Sequence, residues 1–267
     1  KLLTKKRFGE MRILILGAGK MGTFFTDALC LKHEVALYDP DASRLRFVFN
    51  TQRLSELESV REFNPELVIN AATIKYTIDA FEKVLPYISK DCILSDIASV
   101  KTGLPEFYKK TGMRFVSTHP MFGPTFARLD NLSNENAIII AESDYLGKMF
   151  FKDFYNSLKL NIFEYSFEEH DETIAYSLSL PFVSSLVFSA IMKHQDAPGT
   201  TFKKHMAVAR GLLSEDDYLL SEILFNPHTP NQVEKIQTEL ELLLDIIRQK
   251  DTDAMQTFLK KVRKNIE

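Results

Sequence analysis

The hexapeptide Gly17-Ala18-Gly19-Lys20-Met21-Gly22 constrains this chain more than any other feature. It follows the apolar run Arg12–Leu16 directly and opens a helical pattern over residues 21–31. In a G-x-G-x-x-G turn between strand and helix, Gly17 permits the tight turn and Gly19 lets backbone approach a diphosphate. Gly22 lets the helix pack on the strand. The helix start, at Lys20 and Met21, offers free N–H groups and a partial positive charge to phosphate. A second strand, Glu34–Tyr38, ends in Asp39, roughly 20 residues past the first glycine, where an acidic side chain accepts hydrogen bonds from an adenosine ribose and repels a 2′-phosphate. The reading is a bound dinucleotide, NAD in preference to NADP, although Arg44 and Arg46 follow closely enough to serve a 2′-phosphate. Ala72, just past a third strand at 67–71, joins the expected cofactor contacts.

The rest of the first 165 residues continues this alternation. Short β-branched runs at 92–95, 114–118, 137–141 and 162–165 read as strands, mostly apolar on both faces, as strands of a covered parallel sheet should be. Helical stretches at 76–85, 104–110 and 144–158 separate them. The expectation is an α/β fold, a Rossmann-type doubly wound parallel sheet. After about Phe167 strands cease, and helical periods run over 169–192, 201–213, 216–225, 230–250 and 252–265. The helix near 233–247 carries Leu or Ile at 236, 240, 243, 244 and 247, a stripe at helical spacing. We expect a linker or appended remnant over 1–10, a dinucleotide-binding domain over 11–167 and an all-helical domain over 168–267.

Composition narrows the function classes. With 33 basic and 36 acidic residues the net charge is -3, which excludes a strongly basic nucleic-acid binder and predicts no general attraction to anionic membranes. The apolar stretch 178–192 contains Pro181 and four serines, which argues against a membrane span. The two cysteines, Cys30 and Cys92, form no disulfide framework, so a reduced, cytoplasmic protein is expected. No metal site is expected.

Two further strand ends carry polar clusters: Asp96-Ile97-Ala98-Ser99-Val100-Lys101, and His119-Pro120-Met121-Phe122-Gly123-Pro124. Ligands of open parallel sheets bind outside the carboxyl ends of the strands, so both clusters face the crevice of the glycine loop. A histidine there, beside a serine hydroxyl, can take up the proton of a substrate alcohol as hydride leaves for a nicotinamide. His119 and Ser99 are the candidate catalytic pair. Asp96 is either a cofactor contact or a cap of the following helix, and Lys101 either belongs to the site or is a solvated first-turn lysine.

These segments, with Phe8-Gly9-Glu10-Met11 ahead of the glycine loop and His170-Asp171 about 50 residues after His119, make the chain similar to prephenate dehydrogenases of tyrosine biosynthesis. The resemblance implies an oxidative decarboxylation. Hydride leaves the hydroxyl-bearing ring carbon of prephenate for NAD, carbon dioxide leaves opposite, and 4-hydroxyphenylpyruvate forms. It implies that His119 accepts a hydrogen bond from the ring hydroxyl and that Ser99 bonds both that hydroxyl and His119. It also implies a homodimer made through the helical domain. His170-Asp171 either lies near the nicotinamide or hinge, or belongs to a group of acidic residues suited to a helix start.

The pattern is broken where the substrate carboxylates should be held. Many members of that family carry a histidine in a Ser-His-Leu-Pro run, and here Ser179 stands in its place, in Leu178-Ser179-Leu180-Pro181. Members also carry an arginine in the next helix. Candidates here are Lys203, Lys204, His205 and Arg210, of which Lys203 and Arg210 are two turns apart on one face. Lysine cannot reproduce the two parallel bonds of a guanidinium. Prephenate is favoured as substrate over arogenate. A dehydrogenase of another family, with lysine at the reacting centre, and a dinucleotide-binding regulatory dimer without catalysis are the competing readings.

Overall fold

The computed structural model describes residues 9–123 and 131–266. Pro124 of the second polar cluster and residues 1–8, including Phe8, lie outside the described residues. The chain forms two compact units, Lys1–His170 and Asp171–Glu267.

The first unit is built on eight strands in the order β3-β2-β1-β4-β5-β6-β7-β8. They are β1 (Arg12–Leu16), β2 (Glu34–Tyr38), β3 (Gln52–Leu54), β4 (Leu67–Asn70), β5 (Ile93–Asp96), β6 (Phe115–Pro120), β7 (Asn136–Ile140) and β8 (Asn161–Tyr165). Helices α1 (Lys20–Leu29), α2 (Val60–Phe63), α3 (Thr77–Val84), α4 (Leu104–Thr111) and α5 (Tyr145–Ser157) connect them. Successive side chains of a strand point to opposite faces, and β1 shows the result. Ile13 and Ile15 pack with Phe25 and Leu29 of α1 and Phe151 and Tyr155 of α5. Leu14 and Leu16 pack with Val60, Phe81, Val84 and Phe107 of α2, α3 and α4 on the other face. The sheet is thus covered on both sides, which is why its central strands lack polar alternation.

Two details depart from the expected all-parallel sheet. The β6–β7 pair is antiparallel, with His119 opposite Ile138 and Pro120 opposite Ala137, whereas the other joins are parallel. Pairing with β7 extends β6 to Pro120, so His119 stands within the strand end rather than after it. The edge strand β3, absent from the sequence expectation, is three residues long with only Leu54 buried. A segment so short and polar carries no readable period, and pairing with β2 alone makes it a strand.

In the second unit the expected single helix over 169–192 is three segments: α6 (Phe167–Ile174), a π-helical turn Ala175–Ser179 and α7 (Leu180–Ile191). Pro181 sits in the first turn of α7 and has no N–H to continue the regular ladder, and a π turn absorbs the offset. The run Phe167–Ile191 is nonetheless long and apolar enough, by length and composition, to cross a membrane, with mean hydropathy 1.7. Four helices follow: α8 (Thr200–Leu212), α9 (Asp217–Leu224), α10 (Thr229–Gln249) and α11 (Thr252–Lys264).

Packing density in the first unit is tested by Gly147, in the first turn of α5, where a Cβ would lie 2.7 Å from the Val116 side chain on β6. We expect Gly147→Ala to destabilise the protein by about 1–3 kcal/mol through overpacking. Urea denaturation checks this, and an unchanged midpoint would show that α5 shifts freely.

Candidate functional site

The parallel register carries the ligand-facing strand ends to one edge of the sheet. Tyr38 pairs with Leu16, Leu16 with Asn70, Asn70 with Asp96 and Asp96 with Ser117. The glycine loop after β1, Asp39 after β2, Ala71-Ala72 after β4, Ser99 after β5 and His119 at the end of β6 therefore project from neighbouring positions on that edge.

The glycine loop is held by backbone. Gly17 N–H donates to Tyr38 O at 2.8 Å and Ala71 N–H to Leu16 O at 2.8 Å. Gly17 has φ +98, and a Cβ there would press on Ala71 and Ala72 backbone at 3.0 Å. At Gly22 a Cβ would lie 1.8 Å from Gly17 O, so only glycine allows α1 to start this close to β1. At Gly19, by contrast, a Cβ would meet nothing within 4 Å. The space beside Gly19 is open, and α1 begins there with no side-chain cap and no acidic residue in its first turn. The N–H groups of exposed Lys20 and half-buried Met21 start that helix, as a diphosphate site requires.

Asp39 is buried and its carboxylate organises the loop. Oδ2 accepts from Ala18 N–H at 2.8 Å and Oδ1 from Asp41 N–H at 2.9 Å. Arg44 lies 4.0 Å from Oδ2, mostly in solvent. Ala72 N–H donates to Asn70 Oδ1 at 3.1 Å, while Asn70 Nδ2 donates to Thr77 O at 2.7 Å. Buried Asn70 thus shapes the β4–α3 turn. Sequence reasoning missed it, although an amide ending the apolar run Leu67–Asn70 is the same kind of signal as Asp96 ending β5.

Asp96 spends its carboxylate inside the protein and does not cap α4. It is wholly buried, and its carboxylate accepts from Lys101 Nζ at 2.5 Å, Tyr108 Oη at 2.7 Å and Ala98 N–H at 3.1 Å. The cap position of α4 is occupied by Gly103. Asp96 is thus an internal anchor rather than the helix cap that was the other expectation. Lys101 is corrected likewise: it is buried, not solvated, and donates also to Thr118 O at 2.7 Å, next to His119. Burial and the Asp96 charge push the Tyr108 phenol well above its ordinary range, so it stays a donor. On the next strand Thr118 Oγ1 and Tyr155 Oη are 2.7 Å apart.

His119 is 6% exposed. Its Nδ1 lies 3.1 Å from Nε2 of His170, a residue with no exposure, and the two rings meet edge to face. Among the described residues Nε2 of His119 makes no hydrogen bond. Burial, then the charges of His170 and Lys101, hold its pKa well below the ordinary 6.5, so the ring is neutral near pH 7. The expected Ser99–His119 hydrogen bond is absent among the described residues, and the partner at Nδ1 is His170 instead. Ser99 is half-buried on the adjacent loop.

In the helical unit Ser179 is 0% exposed. It donates to Ile223 O at 3.1 Å and accepts from Thr229 Oγ1 at 2.8 Å. That corrects its expected substrate role, because the hydroxyl ties the π turn to neighbouring helices. Lys203 and Arg210 are exposed on α8 and form no ion pair with a described residue. A cleft of about 530 Å³, lined by Arg12, Glu66, Cys92 and Arg114 among others, opens at the amino ends of β1, β4 and β5, away from this edge.

The buried anchor is testable. Replacing Lys101 by Met strands the Asp96 carboxylate, and we expect a loss of about 3–5 kcal/mol. Chemical denaturation measures it, with Asp96→Asn/Lys101→Met recovering part. A loss within experimental error would show that the pair contributes nothing net.

The model of the prephenate dehydrogenase nucleotide-binding domain matches residues 26–161, which include Asp39, Asp96, Ser99, Lys101 and His119. A probable arogenate/prephenate dehydrogenase of Methanocaldococcus jannaschii is 23% identical over 215 residues, covering 75% of this chain and 48% of that protein. This chain thus spans about half the length of that curated relative. Among solved structures, prephenate dehydrogenase of Aquifex aeolicus, in complex with hydroxyphenyl propionate and NAD+, superposes with TM-score 0.82 at 20% identity, covering 98% of this chain and 100% of that one. Arogenate dehydrogenase of Synechocystis gives TM-score 0.76 at 16% identity, over 96% and 98% of the two chains. At such identities these likenesses show a shared fold. With the family model spanning half the sequence and including Asp39, Ser99 and His119 of that sheet edge, the chain belongs to the prephenate dehydrogenase family.

Proposed function

We propose that the protein is an NAD-dependent dehydrogenase that oxidatively decarboxylates prephenate, with arogenate as the competing substrate. The observation that carries the reading is His119: a neutral imidazole at the end of β6, with no hydrogen bond at Nε2 among the described residues, on the sheet edge that also carries the uncapped start of α1. Those residues suit NAD. Gly17, Gly19, Gly22 and the first N–H groups of α1 would hold the diphosphate, and Asp39 the adenosine ribose, with Ala72 backbone beside the loop. When bound, NAD supplies the hydride acceptor.

The chain's own residues do the rest. His119 Nε2 accepts the hydrogen bond of the substrate hydroxyl and then its proton, while Ser99 orients the hydroxyl from the β5 loop. Neutrality of His119 is essential, since a protonated ring has no acceptor. The buried Lys101–Asp96 pair fixes both strand ends, so donor and acceptor meet without reorganisation. Lys203 and Arg210, exposed and without an ion partner among the described residues, are the cations we propose for the substrate carboxylates.

The test is NADH formation with prephenate and with arogenate, each with NAD and NADP. Activity is expected with prephenate and NAD. Dinucleotide binding without product from either substrate would favour a regulatory protein. Because the His119 pKa is lowered in the folded protein, the acid limb of kcat/KM should lie below pH 6.5. The stability linked to this ring is complete above about pH 6.5 and declines below it, as the unfolded chain takes up a proton that the folded one refuses. His119→Asn should lower kcat about 10²–10⁴-fold. A wild-type acid limb above pH 6.5 would remove His119 from this role.

The helical unit supports a homodimer. No residue of α7 is buried, with Val187 55% and Ile191 75% exposed, and Leu240 and Ile247 of the expected α10 stripe lie in solvent. Covering a leucine or isoleucine contributes about 1.5–3 kcal/mol each, so a second copy accounts for these faces. Light scattering should give a two-chain mass, and Leu240→Asp/Ile247→Asp a one-chain mass. A one-chain wild type, or one recovered only in detergent, would overturn the dimer.

A further inference from the structure

The second buried histidine is not explained by the roles above. His170 sits in the first turn of α6, and that turn is firmly placed. Ser166 N–H donates to Glu169 Oε2 at 2.7 Å and Glu169 N–H to Ser166 Oγ at 3.1 Å, a reciprocal cap. Phe167 N–H donates to Glu142 Oε1 at 3.2 Å, and the Phe167 ring stacks on Phe115 of β6. The same strand that carries His119 thus anchors the helix that carries His170.

Two ring nitrogens 3.1 Å apart share one proton: one donates and the other accepts. If His119 Nδ1 were the acceptor, the neutral ring would carry its proton on Nε2 and point a donor at the substrate hydroxyl. The hydroxyl proton would then have nowhere to go. If Nδ1 donates, Nε2 keeps its lone pair. Resting on the reading of His119 as the group that takes up the substrate hydroxyl proton, we infer that His170 is a positioning residue whose Nε2 accepts from His119 Nδ1–H and holds His119 in the tautomer with a free Nε2. The hydroxyl O–H bond breaks and its proton binds His119 Nε2. The electron pair left on oxygen closes the carbonyl as the C–H bond on the same carbon breaks, that pair leaving as hydride for the NAD that would be bound there. Loss of carbon dioxide then returns electrons to the ring oxygen, which regains the proton. Until then the positive charge on His119 is shared with His170 through the Nδ1–H bond. Lys101 is the other charged group beside His119, itself paired with Asp96, so no carboxylate contacts the ring among the described residues. An imidazole does here the orienting that a carboxylate does in many acid–base pairs.

The experiment compares wild type, His170→Leu, His170→Gln and His119→Asn by steady-state kinetics and by ¹⁵N shifts of the His119 ring in the full chain. In wild type His119 should be protonated at Nδ1 and bare at Nε2. In His170→Leu the Nε2–H tautomer should appear and kcat fall about 10²-fold, with KM for NAD unchanged. His170→Gln, whose amide oxygen can accept, should regain most of kcat. A wild-type His119 protonated at Nε2 overturns the inference, even if His170→Leu fails to fold. So does a His170→Leu kcat within twofold of wild type alongside an inactive His119→Asn, an outcome that leaves the role of His119 standing. An active His119→Asn overturns both.

Discussion

Lys101 and Asp96 meet at 2.5 Å without solvent contact, and the strand ends that carry Ser99 and His119 take their spacing from that meeting. Burying two charges costs several kcal/mol per ion, and the pair persists because every side of it is hydrogen-bonded. Asp96 also receives Tyr108 and Ala98 N–H, and Lys101 also reaches Thr118 O. The result is a clamp from the β5 loop to the end of β6. Hydrophobic packing alone would hold these strands together but would leave the loop after β5 free to drift.

The same burial sets the chemistry. A histidine beside a buried ammonium and a second imidazole, in a site with little water, cannot hold a proton at neutral pH. In most surface positions that would be a neutral consequence of environment. At the carboxyl edge of this sheet it supplies, under the proposed function, an acceptor for the proton of a substrate hydroxyl. The open space beside Gly19 and the crowded space beside Gly22 divide the glycine motif in the same way, one residue for a ligand and one for the fold.

The helical unit follows a different logic. Ser179 is spent on Ile223 and Thr229, where it fastens the π turn next to Pro181. Its helices keep apolar faces that one copy of the chain leaves uncovered. Their amphipathic period is that of an ordinary core helix, and only the structure shows which stripes stay outside.

Much of this was legible in the residues. The strand–glycine–helix order of β1 and α1, the sheet class, the helical second half, and the placement of Asp39 and His119 at strand ends follow from period, glycine and polar punctuation, which act over a few residues. The partner at His119 Nδ1, the burial of Lys101, the three-residue β3 and the antiparallel turn of β7 did not, because each depends on groups distant in sequence. A lysine in a loop looks solvated until Asp96, Thr118 and Tyr108 close around it. His119 and His170 stand 51 residues apart, and local pattern cannot say that their rings touch. The sequence by itself determined which elements form and which chemistry-bearing residues end them. Tertiary structure decided which of those residues meet and which are sealed from water, since contact and desolvation are properties of the packed chain.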